Sequence, residues 1–298
     1  MEKRLKIGYF ADGPWAHGTL ELLSKDTSVE VVFICARYGR PDEYLRDKAS
    51  ELKIDFLVEK NVNEEFFIRN LHKYDADLFV SMSFDQILRA PLYSLPRLGT
   101  INCHAGKLPF YRGRNVLNWV LINDEKEFGI TVHYVDDGVD TGDIIAQTLH
   151  PIRDADDYAS LLKKAFLECP LILHRAIQLI NSGTAKRIPQ RSLAPAGLFC
   201  TQRVPGDERL DWSMTSREVF NFVRALSEPG PRALTSINSV PVMISKVELI
   251  PGAPIYKGVP GAVLAKEQNG FLVKTGDSYV KLTKWLSATR LRAGVRFQ

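Results

Sequence analysis

LKIGYFADGPWAHGTLELLSKDTSVEVVFICA, residues 5–36, decides the fold. Its ends, LKIGYF and VEVVFICA, are short, β-branched and aromatic, and read as strands. Between them AHGTLELLSK spaces its leucines along one face of a helix. A strand followed by a helical crossover returns parallel to its predecessor. The same alternation continues outward. A helix over about 41–52 precedes the strand DFLV, the helix NEEFFIRNLHKY precedes the strand DLFVSM, and LGTINC is a further strand. VLNWVLINDE reads as helical, and FGITVHYV and DIIAQTLHPI as a strand pair. DYASLLKKAFLECPLILHRAIQLINSG reads as a long helix ended by Gly183. Pro170 is expected to kink or break it. This alternation predicts a mostly parallel sheet covered on both faces, and ligands in such sheets bind beyond the carboxyl ends of the strands.

The character of the chain changes near residue 184. TAKRIPQRSLAPAG is polar and carries two prolines. After it come LFCTQRVPGDERLDW, a helix TSREVFNFVRALSEP, and the β-rich runs VPVMISKVELI, GAVLAKE, GFLVKT and SYVKLTKW. The expected organisation is an α/β domain over 1–184, Rossmann-like with helices on both faces, a linker over 185–202, and a small OB-like antiparallel β-barrel over 203–298. With 45% hydrophobic and 25% charged residues in 298, the core needs neither metal nor disulfide to hold it. Cys35, Cys103, Cys169 and Cys200 form no C-x-x-C pair and read as reduced thiols of a cytoplasmic protein. No apolar run approaches a membrane span and the N-terminus has no signal-peptide pattern, so no membrane partner is expected. The net charge of +4 is spread along the chain, without the basic stripe of a nucleic-acid binder.

Several chemistries are excluded by their missing motifs. Gly8, Gly13 and Gly18 follow the first strand but do not make G-x-G-x-x-G, so a dinucleotide loop is not expected. Tyr44 and Lys48 match a reductase-like Y-x-x-x-K, yet are better read as two polar side chains one helical turn apart. G-x-S-x-G, a Walker loop and H-E-x-x-H are absent, and scattered His and Cys argue against a metal centre. INCHAGKLPFYRGR (101–114) is different. Period two places Asn102 and His104 on one face at the end of a buried strand. Each could instead satisfy nearby backbone, and the pair alone does not decide. HYVDDGVDTGDI (133–144) then brings Asp136, Asp137, Asp140 and Asp143, with Gly138 and Gly142. A hairpin needs one Asp-Gly, and four carboxylates exceed that, although a solvated loop is the plain alternative. A carboxylate beside His104 would favour imidazolium and fix the ring. The Asn102 amide could donate to a developing oxyanion. Amide, imidazole and carboxylate together suit acyl transfer to an amine, with no nucleophile from the protein.

At these residues the sequence resembles the formyltransferases that use 10-formyltetrahydrofolate. The likeness rests on Asn102-x-His104, Leu108-Pro109, Arg112-Gly113 and GVDTGDII (138–145). It continues in RVPGDERLDW (203–212) and RALSEPGPRA (224–233), so it covers both expected domains in order. The resemblance implies a catalytic triad of Asn102, His104 and Asp140. His104 would be the acid/base, Asn102 would stabilise the tetrahedral intermediate, and Asp140 would raise the His104 pKa. It implies a pterin slot along the backbone of Gln86, Ile87 and Leu88, closed by Asp136, Asp137, Gly138, Val139 and Asp140, with Arg114 nearby. The co-substrate would be 10-formyltetrahydrofolate, without a metal. The chain departs from the common His-x-Ser-Leu-Leu-Pro at HAGKLP (104–109). A serine hydroxyl is missing there and Lys107 is added, reaching either an acceptor phosphate or solvent.

Family members differ in the amine they formylate. Those acting on initiator methionyl-tRNA carry a basic insertion after the second strand, whereas here only RYGRPD follows VVFICA. The likeness of ADGPWAH and RGRNVLNWVL is to enzymes that formylate a nucleotide-linked amino sugar, including the one acting on UDP-4-amino-4-deoxy-L-arabinose. The expected partner is therefore a UDP- or dTDP-linked amino sugar, with tRNA as the alternative. Trp15, read in a loop at a strand end, would line the sugar site, or else cap the core. Phe199, Gln202, Arg203 and Arg224 are the candidates for a stacking face and cationic partners to the nucleotide. Arg203 and Arg224 would otherwise pair with Asp207 and Asp211. An exposed edge strand on the small barrel would suit a homodimer.

Overall fold

The computed structural model describes residues 4–298. The chain forms two compact units. The first runs up to Gly113 and adds Gly129–His150 and Lys163–Phe199. The second gathers Arg114–Phe128, Pro151–Leu162 and Cys200–Gln298. Two stretches well before residue 200 are therefore part of the unit that holds the C-terminal residues.

In the first unit the strand–helix alternation becomes β1 (Leu5–Ala11), α1 (Gly13–Lys25), β2 (Val29–Ala36), α2 (Glu43–Leu52), β3 (Asp55–Val58), α3 (Glu65–Leu71), β4 (Leu78–Met82), α4 (Ala90–Tyr93) and β5 (Thr100–His104). The short β6 (Arg112–Gly113) follows and, after α5 (Val116–Ile122) of the second unit, β7 (Glu127–Tyr134), β8 (Ile144–Pro151) and α6 (Tyr158–Asn181). The large sheet has the order β3-β2-β1-β4-β5-β7-β8. Pairs β1–β2, β1–β4, β2–β3 and β4–β5 are parallel, and β7 joins β5 antiparallel. The order reverses between β1 and β4, the switch point where open α/β sheets form their ligand crevice. Phe10, Phe33 and Phe79 pack edge-to-face at 5.2–5.7 Å on one side of it, each ring fully buried or nearly so.

Two expectations are corrected here. Trp15 lies in the first turn of α1, not in a loop, because the helix starts at Gly13 with Pro14 in its first turn. Its ring packs edge-on against Phe166 at 4.8 Å. Pro170 neither ends nor divides α6, which runs unbroken from Tyr158 to Asn181. The buried face of Cys169, Ile172, Leu173, Ala176 and Ile177 offsets the hydrogen bond that the proline removes. Its ring packs beside Gly18 of α1, where a Cβ would stand 2.8 Å from Pro170 Cγ.

The polar stretch expected as a linker holds α7 (Gln190–Leu193) and leads into β9 (Phe199–Cys200). The second unit then builds α8 (Ser216–Ala225), β10 (Ala233–Ile237), β11 (Val240–Glu248), β12 (Val263–Glu267), β13 (Gly270–Lys274) and β14 (Tyr279–Ser287). A capping box between Thr215 and Glu218 starts α8. The five strands form an antiparallel sheet ordered β10-β11-β14-β13-β12. Its two edges are laced together by the end of the chain. Gln298 exchanges backbone hydrogen bonds with Ser236 of β10, while Phe297 N–H donates to Gly261 O and Val263 N–H of β12 to Val295 O. That lacing closes the barrel expected from the sequence and satisfies both edges. Strand β10 escaped the sequence reading, since RALTSI comes straight after the turn SEPGP and is too short and polar to carry an alternating apolar run. Cys35, Cys103 and Cys169 are buried free thiols, and Cys200 is partly exposed. Among the described residues no helix is long and apolar enough to cross a membrane.

Candidate active site

Asn102 and His104 sit at the carboxyl end of β5, on one face of the strand, as period two requires. The turn that follows folds back over His104. Tyr111, with φ +57°, aims its carbonyl at the ring, and His104 Nε2 lies 2.6 Å from Tyr111 O. A carbonyl oxygen only accepts, so Nε2 carries a proton. Polar side chains from the neighbouring strands hold the turn. Thr131 Oγ1 donates to Gly106 O (2.6 Å), and Gln147 Nε2 donates to Leu108 O (2.9 Å) and to Thr131 Oγ1 (2.8 Å). Two glycines give it room. A Cβ on Gly129 of β7 would stand 2.6 Å from Lys107 Cα, and one on Gly106 would stand 2.4 Å from both His104 Nε2 and Tyr111 O. The missing serine is thereby explained: with His104 and Tyr111 O this close, nothing larger than glycine fits at residue 106.

Asp140 completes the cluster from the 136–143 loop. It is a non-glycine residue at φ +53°. Its Oδ2 accepts from Gly113 N–H at 2.8 Å and lies 3.6 Å from His104 Nδ1, and its Oδ1 lies 3.4 Å from His133 Nε2. One carboxylate thus stands between two imidazoles. Burial works against its charge, but the His104 imidazole, the hydrogen bond and charge of His133, and the Gly113 N–H outweigh burial. Together they hold the carboxyl well below the usual carboxylate range. His133 Nε2 also lies 3.3 Å from Asn102 Nδ2, so Asn102 meets the cluster through His133.

Gln190, from the supposed linker, fixes this loop. Its Nε2 donates to Asp140 O and Gly142 O, each at 2.8 Å, and its Oε1 accepts from Arg112 Nε (3.0 Å) and Nη2 (2.6 Å). The buried Arg112 guanidinium lies 5.1 Å from the centre of the Phe199 ring, and that ring is 59% exposed. Sequence reasoning found neither His133 nor Gln190 as a site residue. For His133 a signal existed, because Thr131 and His133 alternate with Ile130 and Val132 and so face the same side as the β5 pair. For Gln190 there was none, since its surroundings have no periodicity.

The loop after β4 carries Gln86, Ile87 and Leu88. Gln86 turns its side chain away, accepting from Val62 N–H (3.1 Å) and donating to Glu59 O (2.9 Å). Ile87 is 68% exposed and Leu88 is buried. In the Asp loop, Asp136 Oδ1 accepts from Gly138 N–H and Thr141 Oγ1, Asp137 accepts from Tyr93 Oη (2.8 Å), and Val139 is exposed. Arg114, Gln202, Arg203 and Arg224 belong to the second unit. There Arg114 Nη1 donates to Gln202 Oε1 (3.1 Å), and Arg203 N–H donates to Asn115 Oδ1 (2.9 Å). Arg224 is buried, donates to Asn221 Oδ1, Arg153 O and Asp156 O, and meets Asp124 at 3.7 Å, rather than the expected Asp207 or Asp211. Among the described residues no group of three His, Cys, Asp or Glu side chains is arranged to hold a metal ion.

The arrangement is therefore an amide, an imidazole and an ionised carboxylate at a strand-end crevice. Residues 17–177 match the formyl transferase family model, and residues 204–291 match the formyl transferase C-terminal domain. Methionyl-tRNA formyltransferase of Halalkalibacterium halodurans is 34% identical over 230 residues, spanning 77% of this chain and 71% of that protein. The bifunctional polymyxin resistance protein ArnA of Wigglesworthia glossinidia brevipalpis is 31% identical over 220 residues, 74% of this chain but only 33% of that protein. Among solved structures, the sugar 3N-formyl transferase WlaRD, determined with dTDP and 5-N-formyl-THF, superposes with a TM-score of 0.70 at 20% identity, covering 97% of this chain and all of that one, and so shares the fold. The family matches span most of the chain and both its units, and the chain belongs to the formyltransferase family.

Proposed function

We propose that this enzyme moves a formyl group from 10-formyltetrahydrofolate to the amine of a nucleotide-linked amino sugar. One observation carries the chemical part: the ionised Asp140 beside His104 at the end of β5, with the Asn102 amide on the same strand face. In the reaction the acceptor nitrogen attacks the formyl carbon and forms the new N–C bond. Asn102 donates to the oxygen that gains charge, His104 takes the proton from the attacking nitrogen, and that proton passes to the folate nitrogen as its C–N bond breaks. Asp140 favours the charged imidazolium that exists between these steps. For the amine to reach His104 Nε2, it must take the place of Tyr111 O, so the 105–113 turn gives way as the acceptor arrives, and the ring's one proton then sits on Nδ1 toward Asp140 Oδ2, leaving Nε2 free to accept. The pterin is placed along the backbone of Gln86–Leu88, whose Gln86 side chain is already turned away, with exposed Ile87 and Val139 as apolar contacts.

The acceptor class is supported by the connection after β2. Arg37 pairs with Asp12 Oδ2 (3.1 Å) and Asp85 Oδ2 (3.3 Å), so one of its two arginines is neutralised. A tRNA acceptor would require several unpaired cations against phosphates. Phe199, with one face on Arg112, is the proposed nucleobase platform, and Lys107 the proposed phosphate contact. Methionyl-tRNA formylation is the second reading, favoured by the 34% identity with the Halalkalibacterium protein. The test is acceptor-dependent release of tetrahydrofolate, read with product mass, from UDP- and dTDP-linked amino sugars. Formylated sugar made by the wild type, and not by a folded His104→Ala variant, is the expected result. Undiminished transfer by His104→Ala would remove the mechanism, and formyl release to water alone would remove the transferase reading.

A further inference from the structure

His133 lies outside the expected triad, yet it touches two of its members. It is 2% exposed and sits opposite Asn102 in the antiparallel β5–β7 register. Its Nδ1 is 2.8 Å from Tyr134 O, and a carbonyl accepts only, so Nδ1 carries a proton in every state of the ring. The state of Nε2 then decides the rest. Two groups face it, with opposite demands. Asn102 Nδ2, at 3.3 Å, is a donor and needs an unprotonated Nε2. Asp140 Oδ1, at 3.4 Å, is an acceptor and needs a protonated one. The other titratable or charged groups close by are the His104 ring, held on the opposite oxygen of the same carboxylate, and the Arg112 guanidinium, which interacts with Asp140.

We propose that His133 is a positioning residue for formyl transfer: its neutral Nε2 accepts from Asn102 and holds the amide with its NH2 group forward as a donor, and protonation of His133 releases the amide and switches the site off. A neutral Nε2 takes one N–H of Asn102, which leaves the second N–H for the oxygen of the tetrahedral intermediate. A protonated Nε2 turns to Asp140 Oδ1 and repels the Asn102 NH2, so the amide either flips its Oδ1 toward His133 or withdraws. In both cases the oxyanion loses its donor.

The inference rests on the proposed formyl transfer, and its test has one readout that does not. The side-chain NH2 signals of Asn102, assigned by comparison with Asn102→Asp, are followed by 15N NMR through a pH titration. They are expected to shift with acidification in the wild type and to stay still in His133→Gln, whose Oε1 can accept at the Nε2 position without titrating. In kinetics, the wild type is expected to lose kcat on acidification more steeply than His133→Gln, which lacks the ring whose protonation releases Asn102. His133→Gln is expected to keep most of kcat and to show the shallower acid limb. His133→Leu, with no acceptor, is expected to lose kcat about 10- to 100-fold, up to the cost of an oxyanion donor, with KM nearly unchanged. An Asn102 signal indifferent to pH, or the same acid limb in wild type and His133→Gln, would overturn the role. A wild type that formylates no amine would instead remove the proposed function, and the NMR titration would still judge His133.

Discussion

Asp140 shows how one residue can hold several functions in tension. Its left-handed backbone and partly desolvated carboxylate would each be unfavourable alone, as would the two imidazoles without it. Together with the Gly113 N–H they keep it charged. Its folded-state pKa is depressed, so the stability it contributes is present above the unfolded carboxylate value of about 4 and is lost as pH falls below that toward the folded value. Thermal melts should therefore show a steeper loss of Tm from about pH 5 to about pH 3 in the wild type than in Asp140→Asn. The same variant should lower kcat by about 10²–10⁴, the usual scale for impaired acid–base catalysis. Equal activity of Asp140→Asn would separate the carboxylate from the chemistry. Gly106→Ala tests the packing of His104 on Tyr111 O. Its new Cβ meets both, and it should cost about 1–3 kcal/mol in urea unfolding, the range for overpacking. Strand period marked Asn102 and His104 and a surplus of carboxylates marked the 136–143 loop, whereas the choice of Asp140 among the four rested on the family resemblance. The Tyr111 carbonyl was not marked, since a backbone acceptor leaves no trace in residue type.

At the scale of elements, strands β5 and β7 present the site and the 186–199 segment fastens it. The parallel strands were readable from their apolar runs, whereas β6, α7 and β9 are too short to carry a period. Gln190 is the clearest case: a glutamine between two prolines reads as linker, yet it is buried and bonds Asp140 O, Gly142 O and Arg112. Gln190→Ala should cost roughly 1–3 kcal/mol, because it leaves the Arg112 guanidinium and two carbonyls without a partner. It should lower kcat more than it lowers Tm would suggest, since the Asp140 loop loses its clamp. Unchanged unfolding by denaturant would contradict that clamp. In the second unit, Asp124 joins α5 to α8 through Arg217 Nε (2.9 Å). Burial raises the Asp124 pKa, but Arg217, Lys126 and Asn221 outweigh it and hold the carboxyl below the usual range. The carboxylate is about a third exposed, so after solvent screening Asp124→Ala should cost only about 1 kcal/mol.

The whole molecule combines an α/β unit that carries the acid–base cluster with a barrel closed by its own C-terminal residues. The order of the two was legible, since the change from helix-crossover rhythm to short Gly- and Pro-punctuated strands is large. The inclusion of 114–128 and 151–162 in the second unit was not, because membership depends on packing rather than on local pattern. Net charge of +4 is spread along the sequence without a basic stripe, whereas a tRNA acceptor would call for clustered cations against its phosphates. The most direct measurement is a competition in one vessel. The enzyme receives 10-formyltetrahydrofolate with a mixture of UDP- and dTDP-linked amino sugars and charged initiator methionyl-tRNA, and both products are followed by mass over time. The account predicts that an amino sugar gains one formyl group with a kcat/KM well above that for the tRNA. Preferential formylation of the methionyl-tRNA, with the sugars untouched, would contradict it.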